Sequence, residues 1–524
     1  MADAAKDVSS TPRNAHHHHH HHHHQTSSTS TSSSRPSPQQ QATTTVPTPR
    51  ISVEDASSSS SQHLPPSSVD SSPRRRFKSY RLRAAYEKPW LRDPNVGSTR
   101  WNDLVVCVFV LLGLLGAGGI AFATVWPYRS GDYCLIYEDD FATLDPDVWT
   151  REVQLDGFGT GAFDWTTPAS SPENAYVDAA GLHIVPTLTN ETTSLTNAQL
   201  YANHTVDLGG DCTAADRNSS ACVVTSDPDA GVMIPPVRSA RLSTRGAKGI
   251  RYGRVEVVAK MPRGDWIWPA IWMMPEDSVY GEWPRSGEID IMESRGNGAG
   301  YEEGGRNYYY STLHWGKPTS SSLLLLLFLL LFLFLLPIYS TKYGKLTSNR
   351  SAGPDADSDA YWRTTSAKKL RRGDYADGFR TFGLQWTDRY MYFYVGSRVH
   401  QIFFMGFRPG RTLYRLGGFA GMADANGTLL ADPWGGVTGS DTGNAPFDQR
   451  FYLVLNVAVG SRNGWFLDKV GGKPWTDDAA NAQWAFWSAA DDWLPTWGEG
   501  EDRGMTVRSV RMWQAGKCGA TDEL

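Results

Sequence analysis

Polar and apolar positions divide this 524-residue chain into three regimes. Residues 1–100 are dominated by Ser, Thr, Pro, Gln and His with no apolar periodicity, which predicts a disordered low-complexity tail. Leu104–Trp126 is an uncharged apolar run of 23 residues, long enough as a helix to cross a hydrocarbon core of about 30 Å. From residue 135 onward, short alternating or aromatic-rich runs are punctuated by Gly, Pro, Asn and Asp. Gly181-Leu-His-Ile-Val-Pro, Arg251–Lys260, Gly378–Trp386, Tyr390–Val395 and Phe451–Val459 each read as a strand. Many such strands in series predict an all-β sandwich or barrel, and only Asp477–Ala489 reads as a helix.

Charge then orients the apolar run. Arg74, Arg75, Arg76, Lys78, Arg81, Arg83, Lys88, Arg92 and Arg100 precede it and only Arg129 follows closely, so the N-terminal side is expected to stay cytoplasmic. Its position, a hundred residues into the chain, does not suit a cleavable signal peptide. These features predict a single-pass type II membrane protein whose remainder is lumenal or extracellular. Five sequons, at Asn190, Asn203, Asn218, Asn349 and Asn426, all follow the span. Apart from Cys107 within it, four cysteines remain, an even number suited to an oxidising compartment. Cys212 with Cys222 would pin one loop, and Cys134 with Cys518 would tie together the ends of the folded part.

Two segments stand apart. The nine consecutive histidines His16–His24 cannot fix a coordination geometry in an unstructured run and carry no functional weight. Leu323–Leu336, LLLLLFLLLFLFLL after three serines, is too short at 14 residues for a comfortable crossing. Ser, Leu, Phe and Pro can all be written in pyrimidine-only codons, so residues 318–351 are expected to be a retained intron or a disordered insertion. A domain over residues 135–516 is expected around it.

Overall charge is balanced, with 50 Lys plus Arg against 55 Asp plus Glu, which argues against nucleic-acid binding. Local charge says more. Trp283-Pro-Arg-Ser-Gly-Glu-Ile-Asp-Ile-Met-Glu-Ser-Arg carries Glu288, Asp290 and Glu293 with Ile289 and Ile291 between them. On a strand, Glu288 and Asp290 share one face while the isoleucines enter the core. Simple alternation would bury Glu293 among aliphatics, so a β-bulge is expected at Ile291-Met292 to return it to the face of Glu288. Three carboxylates on one face can hold one acid protonated and another ionised, with Asp290 discouraging ionisation of its neighbours.

The surroundings are rich in indoles. Of 20 Trp, 17 follow residue 126, and Trp266, Trp268, Trp272, Trp283 and Trp315 crowd around the acids together with His314. An indole offers a flat apolar face and an N–H donor, which suits sugar rings. Trp268, Trp272, Trp283 and His314 are the candidate substrate-binding residues, although Trp272 could equally be core.

Trp268-Pro-Ala-Ile-Trp-Met-Met-Pro, Gly287-Glu-Ile-Asp-Ile-Met-Glu-Ser-Arg-Gly-Asn and Ser311-Thr-Leu-His-Trp-Gly resemble glycoside hydrolase family 16, in its fungal laminarinase-like and glucan-recognition-like branch. The likeness runs from about Tyr137 to Gln514. It implies a concanavalin A-like jelly-roll β-sandwich with an open substrate cleft, cutting β-1,3- or mixed β-1,3/1,4-glucan with retention of configuration. It further implies Glu288 as nucleophile, Glu293 as general acid/base and Asp290 as the residue that tunes Glu288. No cofactor is expected; the resemblance allows a structural calcium whose ligands the sequence does not identify. The expected partners are β-glucan and, through the span, a membrane, with the chain acting as a monomer. Two other readings remain open: a non-hydrolytic β-glucan-binding protein, whose relatives lack the acids, and a β-glucan assembly factor in cell-wall biosynthesis.

Overall fold

The computed structural model describes residues 88, 89, 92, 99–126, 131–316, 359–423, 429–435 and 443–519. The histidine run, most of the N-terminal tail and the 318–351 segment lie outside them. Thr99–Val125 forms one helix of 27 residues, with no charged residue beyond Asp103, and is long and apolar enough to cross a membrane. Its apolar side chains, from Leu104 to Val125, are exposed.

Among the described residues, period-two patterning builds two large antiparallel sheets of eight strands each. One runs in the order Thr365–Lys369, Tyr308–His314, Glu288–Glu293, Ile267–Pro275, Phe451–Val459, Arg241–Ser243 and Thr150–Arg151, with Gly249–Ile250 also paired to Phe451–Val459. It is called the cleft sheet below. The back sheet runs Gln401–Gly406, Tyr390–Val395, Arg380–Trp386, Gly253–Lys260, Met505–Ala515, Gly181–Ile184 and Ala175–Asp178, with Tyr133–Asp139 beside Met505–Ala515. Gly253–Lys260 shows the logic plainly: Val255, Val257 and Ala259 are fully buried while Arg254, Glu256 and Lys260 are half-buried on the outer face.

Among the described residues, one large hydrophobic core joins the sheets. Val255, Leu384, Val507 and Met512 of the back sheet belong to the same cluster as Ile271, Ile289, Leu313 and Leu455 of the cleft sheet. This is the all-β jelly-roll sandwich that the strand pattern and family resemblance imply. Both expected disulfides are present: Cys212–Cys222 closes a loop of the 189–236 excursion, and Cys134–Cys518 ties Tyr133–Asp139 to the residues just after Met505–Ala515, across 384 residues.

The expected helix Asp477–Ala489 is shorter than its pattern suggests. The helix covers only Ala482–Ser488, followed by a second turn at Ala490–Trp493. Asp477 is diverted by stronger partners: its carboxylate receives the buried Lys473 ammonium and the Gly464 N–H at 2.8 Å. An acid engaged by a buried ion pair does not cap a local helix.

Gly316 and Asp359 pair as an antiparallel bridge, so the described residues on either side of 317–358 already meet. Replacing residues 318–358 with a short Gly-Ser link should therefore leave the melting temperature of the domain within about 2 °C of the parent. Calorimetry of the two proteins checks this, and a large loss of stability would show that the segment is part of the packed structure.

Candidate active site

The acids are brought together by a mismatch in strand pairing. Against Ile267–Pro275, Met273 faces Ile289 and Trp272 faces Asp290, but Ile271 faces Met292, leaving Ile291 without a partner. Against Tyr308–His314, the register likewise slips between Asp290 and Glu293. The bulge falls where the alternation of charge required it. Ile289, Ile291 and Met292 all enter the core, and Glu288, Asp290 and Glu293 occupy the other face.

Each outer carboxylate is held by an indole. Trp283 donates its N–H to Glu288 Oε2 at 2.6 Å, and Trp268 donates to Glu293 Oε1 at 3.0 Å. Trp268 lies on the cleft side of its strand, and the turn carrying Trp283 is fixed from below by Trp434 Nε1 to the Arg285 carbonyl and Gln449 Nε2 to the Ser286 carbonyl. Gly287, at φ +83°, makes the final bend into Glu288; a Cβ there would stand 3.0 Å from the Phe447 ring.

His314 supplies the central cation. It sits across from Glu288 in the strand register, with Nε2 3.1 Å from Asp290 Oδ2 and Nδ1 2.5 Å from Asp359 Oδ2. Burial works against charging this ring, but the carboxylates of Asp359 and Asp290 on either side raise it well above the usual imidazole range. Glu288 and Glu293 are both raised from the usual carboxylate range. Burial is the largest cause and the Asp290 charge the next, partly offset by His314. Asp290 is only 2% exposed and Glu293 7%. The site thus favours protonated Glu at neutral pH, a condition for general acid chemistry.

Of the other expected residues, Trp272 is half-buried beside Asp290 on the acid face, not in the core, and donates to Asn456 Oδ1 at 2.7 Å. The Arg241 guanidinium lies 4.6 Å from the centre of the Trp272 ring and 4.0 Å from that of Phe158. Trp283 is the most open of the four, 38% exposed. Trp266 and Trp315, which the sequence places in the same crowd, are instead buried core residues.

Several contributors escape sequence reasoning. Trp465 stacks on Trp268 with centroids 5.0 Å apart and planes 16° from parallel. Arg295 fixes it, bonding the Trp465 carbonyl through Nε at 3.0 Å and a terminal nitrogen at 2.7 Å while lying 4.1 Å from the centre of its ring. Asp359 is hidden from the sequence by its separation from His314. Asn456 did leave a signal, as the one polar residue in the apolar strand Phe451–Val459.

Among the described residues, two clusters have metal-ligand types close together: Glu288, Asp290 and His314, and Asp178, His183 and Glu501. In each, one imidazole nitrogen already lies within hydrogen-bond distance of a carboxylate of its cluster, His314 Nε2 at 3.1 Å from Asp290 and His183 Nε2 at 2.7 Å from Asp178.

Residues 238–303 match the family model described as "XgeA-like, catalytic GH16 domain". The chain is 35% identical over 413 residues to the "Beta-1,3-glucan-binding protein" of Penaeus monodon, covering 76% of this chain and 96% of that one. It is 27% identical over 363 residues to the "Beta-1,3-glucan-binding protein" of Tenebrio molitor, covering 69% of this chain and 62% of that one. The laminarinase from Rhodothermus marinus is a structural neighbour with a TM-score of 0.40 and 19% identity, covering 74% of this chain and all of that one.

The raised carboxyls have a consequence for stability. Glu293 binds its proton more tightly folded than unfolded, so its contribution is lost as pH rises from the ordinary carboxylate range through its raised folded value. Gln has no proton to lose. Glu293→Gln should therefore stabilise the protein more at pH 8 than at pH 5, by on the order of 1–2 kcal/mol. Thermal melts at the two pH values test this, and an equal or reversed effect would contradict the direction of the shift.

Proposed function

The chain belongs to glycoside hydrolase family 16, and on that premise we propose that it is a membrane-anchored endo-β-glucanase that cuts β-1,3- or mixed β-1,3/1,4-glucan with retention of configuration. The fold of the family supports β-glucan binding or hydrolysis. The observation that favours hydrolysis is the pair of raised carboxyls, Glu288 and Glu293, flanking Asp290 on one strand face.

Glu288 attacks the anomeric carbon while Glu293 protonates the departing glycosidic oxygen, giving a glycosyl-enzyme intermediate. Glu293 then takes a proton from water, or from an acceptor sugar, that displaces Glu288. The lower exposure of Glu293, 7%, suits it to the protonated role, while each carboxylate has an indole N–H and the His314 charge to support its ionised form. The Asp290–His314–Asp359 series keeps a cation beside two acids that must differ in protonation. Trp268 backed by Trp465, together with Trp272 and Trp283, offers aromatic faces for the sugar chain. This chemistry needs no cofactor.

In this reading Thr99–Val125 is a type II anchor, with the basic cluster cytoplasmic and the sandwich lumenal or extracellular. A second reading, glucan binding without turnover, is favoured by the 35% identity to a protein named for binding β-1,3-glucan. Product analysis with laminarin, lichenan and pustulan separates the two. The hydrolase reading requires new reducing ends from laminarin or lichenan, with turnover lost by at least about 1,000-fold in Glu288→Gln while glucan binding is retained. Wild-type protein that binds laminarin but releases nothing would establish the second reading.

The pH profile gives an independent check. His314→Asn withdraws the charge that lowers Glu288, so that carboxyl should rise further and the nucleophile should become protonated at higher pH. The acidic limb of the pH–activity curve should move up by roughly one unit; a limb that stays in place would remove His314 from the electrostatics of the reaction.

A further inference from the structure

Far from the acids in sequence, the 189–236 excursion builds a small aromatic concavity against the helix Ala482–Ser488. Tyr201 closes the short helix Asn197–Tyr201, and its ring meets that of Trp484 with centroids 4.1 Å apart. Both rings are only half-buried. They line a hollow with Pro228, Val232 and Asn481, in which Val232 is left 41% exposed. The wall is firmly placed, since a Cβ on Gly231 would stand 2.8 Å from the backbone of Ala480.

Asn203 lies two residues after Tyr201 and begins the sequon Asn203-His-Thr. It is exposed, and its backbone is held in the left-handed region at φ +57°. The Asn203 N–H is bonded to the Ser226 carbonyl at 2.9 Å and the His204 N–H to Ser226 Oγ at 3.1 Å, so the turn that presents the side chain is fixed on both residues.

The other described sequons lack this arrangement. Asn190 is half-buried in the short helix Thr189–Thr192, with its Oδ1 enclosed by protein. Asn218 is exposed, but no aromatic residue occurs between Ala214 and Cys222.

We propose that Asn203 carries an N-linked glycan whose first N-acetylhexosamine packs its apolar face into the Tyr201–Trp484 concavity. The inference rests on the lumenal placement of the sandwich. The Asn203 amide nitrogen attacks the anomeric carbon of a polyprenyl-diphosphate-linked oligosaccharide. The C–N bond forms as the C–O bond to the diphosphate breaks, the lipid diphosphate leaves, and the amide proton passes to a base of the transferase. The attached sugar then covers indole, phenol and Val232 surface that would otherwise face water, while Asn481 lies at its polar edge.

The test uses the full chain from a eukaryotic secretory host that stops at high-mannose glycans, solubilised in detergent. Glycopeptide mass spectrometry should find Asn203 occupied. Endoglycosidase H, which leaves one sugar on the asparagine, should leave the melting temperature unchanged, whereas complete removal by peptide N-glycosidase F should lower it by about 2 °C or more. In Asn203→Gln and in Tyr201→Ala the two digests should melt alike, and the first variant keeps the test valid should the second fold poorly. Occupancy at Asn218 with Asn203 bare would overturn this site alone, as would wild-type digests that melt at the same temperature. A chain modified at none of its sequons would overturn both the lumenal placement and the site.

Discussion

A strand alternates its side chains, and Glu288–Glu293 can place three carboxylates on one face only by carrying a residue its neighbours do not match. That residue is Ile291, unpaired against Ile267–Pro275. The core has room for one more aliphatic side chain far more readily than for a charge, because an unpaired buried carboxylate costs several kcal/mol while a buried isoleucine contributes about 2–3. Burial therefore selects the bulge. Once it is made, the spacing of the acids, their access to Trp268 and Trp283, and their nearness to His314 follow from the register of the flanking strands.

Gathering three acids raises a second demand, for positive charge that does not neutralise them. Arg295 is close in sequence but is turned away, its guanidinium taken up by the carbonyls of Trp465, Glu303 and Gly304 and the Tyr310 hydroxyl. Through those bonds it shapes the aromatic wall more than it pairs with Glu293. His314 provides the nearer cation, and Asp359 on its far side keeps the ring from being bound to Asp290 alone. The result is a row in which charge alternates across the sheet instead of accumulating.

Much of this was legible in the residues themselves. Period-two runs gave the strands, an even number of cysteines gave the two bridges, and the misfit of Glu293 with simple alternation gave the bulge. What remained hidden depended on contacts between distant segments. Trp465 acquires its role by stacking on Trp268 nearly two hundred residues earlier, and Asp359 acquires its own by facing His314 across the intervening segment. Asp477 shows the converse: its local pattern favours a helix, but Lys473 and Gly464 engage it first. Trp266 and Trp315 show that composition cannot divide a cluster of indoles between core and surface, because that division depends on which side of a strand or loop each one leaves.

The two ends of the sandwich meet where Tyr133–Asp139 lies along Met505–Ala515 and Cys134 joins Cys518. Any pull applied through the chain that precedes the domain enters the sandwich at Tyr133. It is borne first by a covalent bond and then by strand hydrogen bonds of the back sheet. The disulfide limits peeling of Tyr133–Asp139 to the one strand residue ahead of Cys134, while the strand that carries Glu288, Asp290 and Glu293 lies in the other sheet.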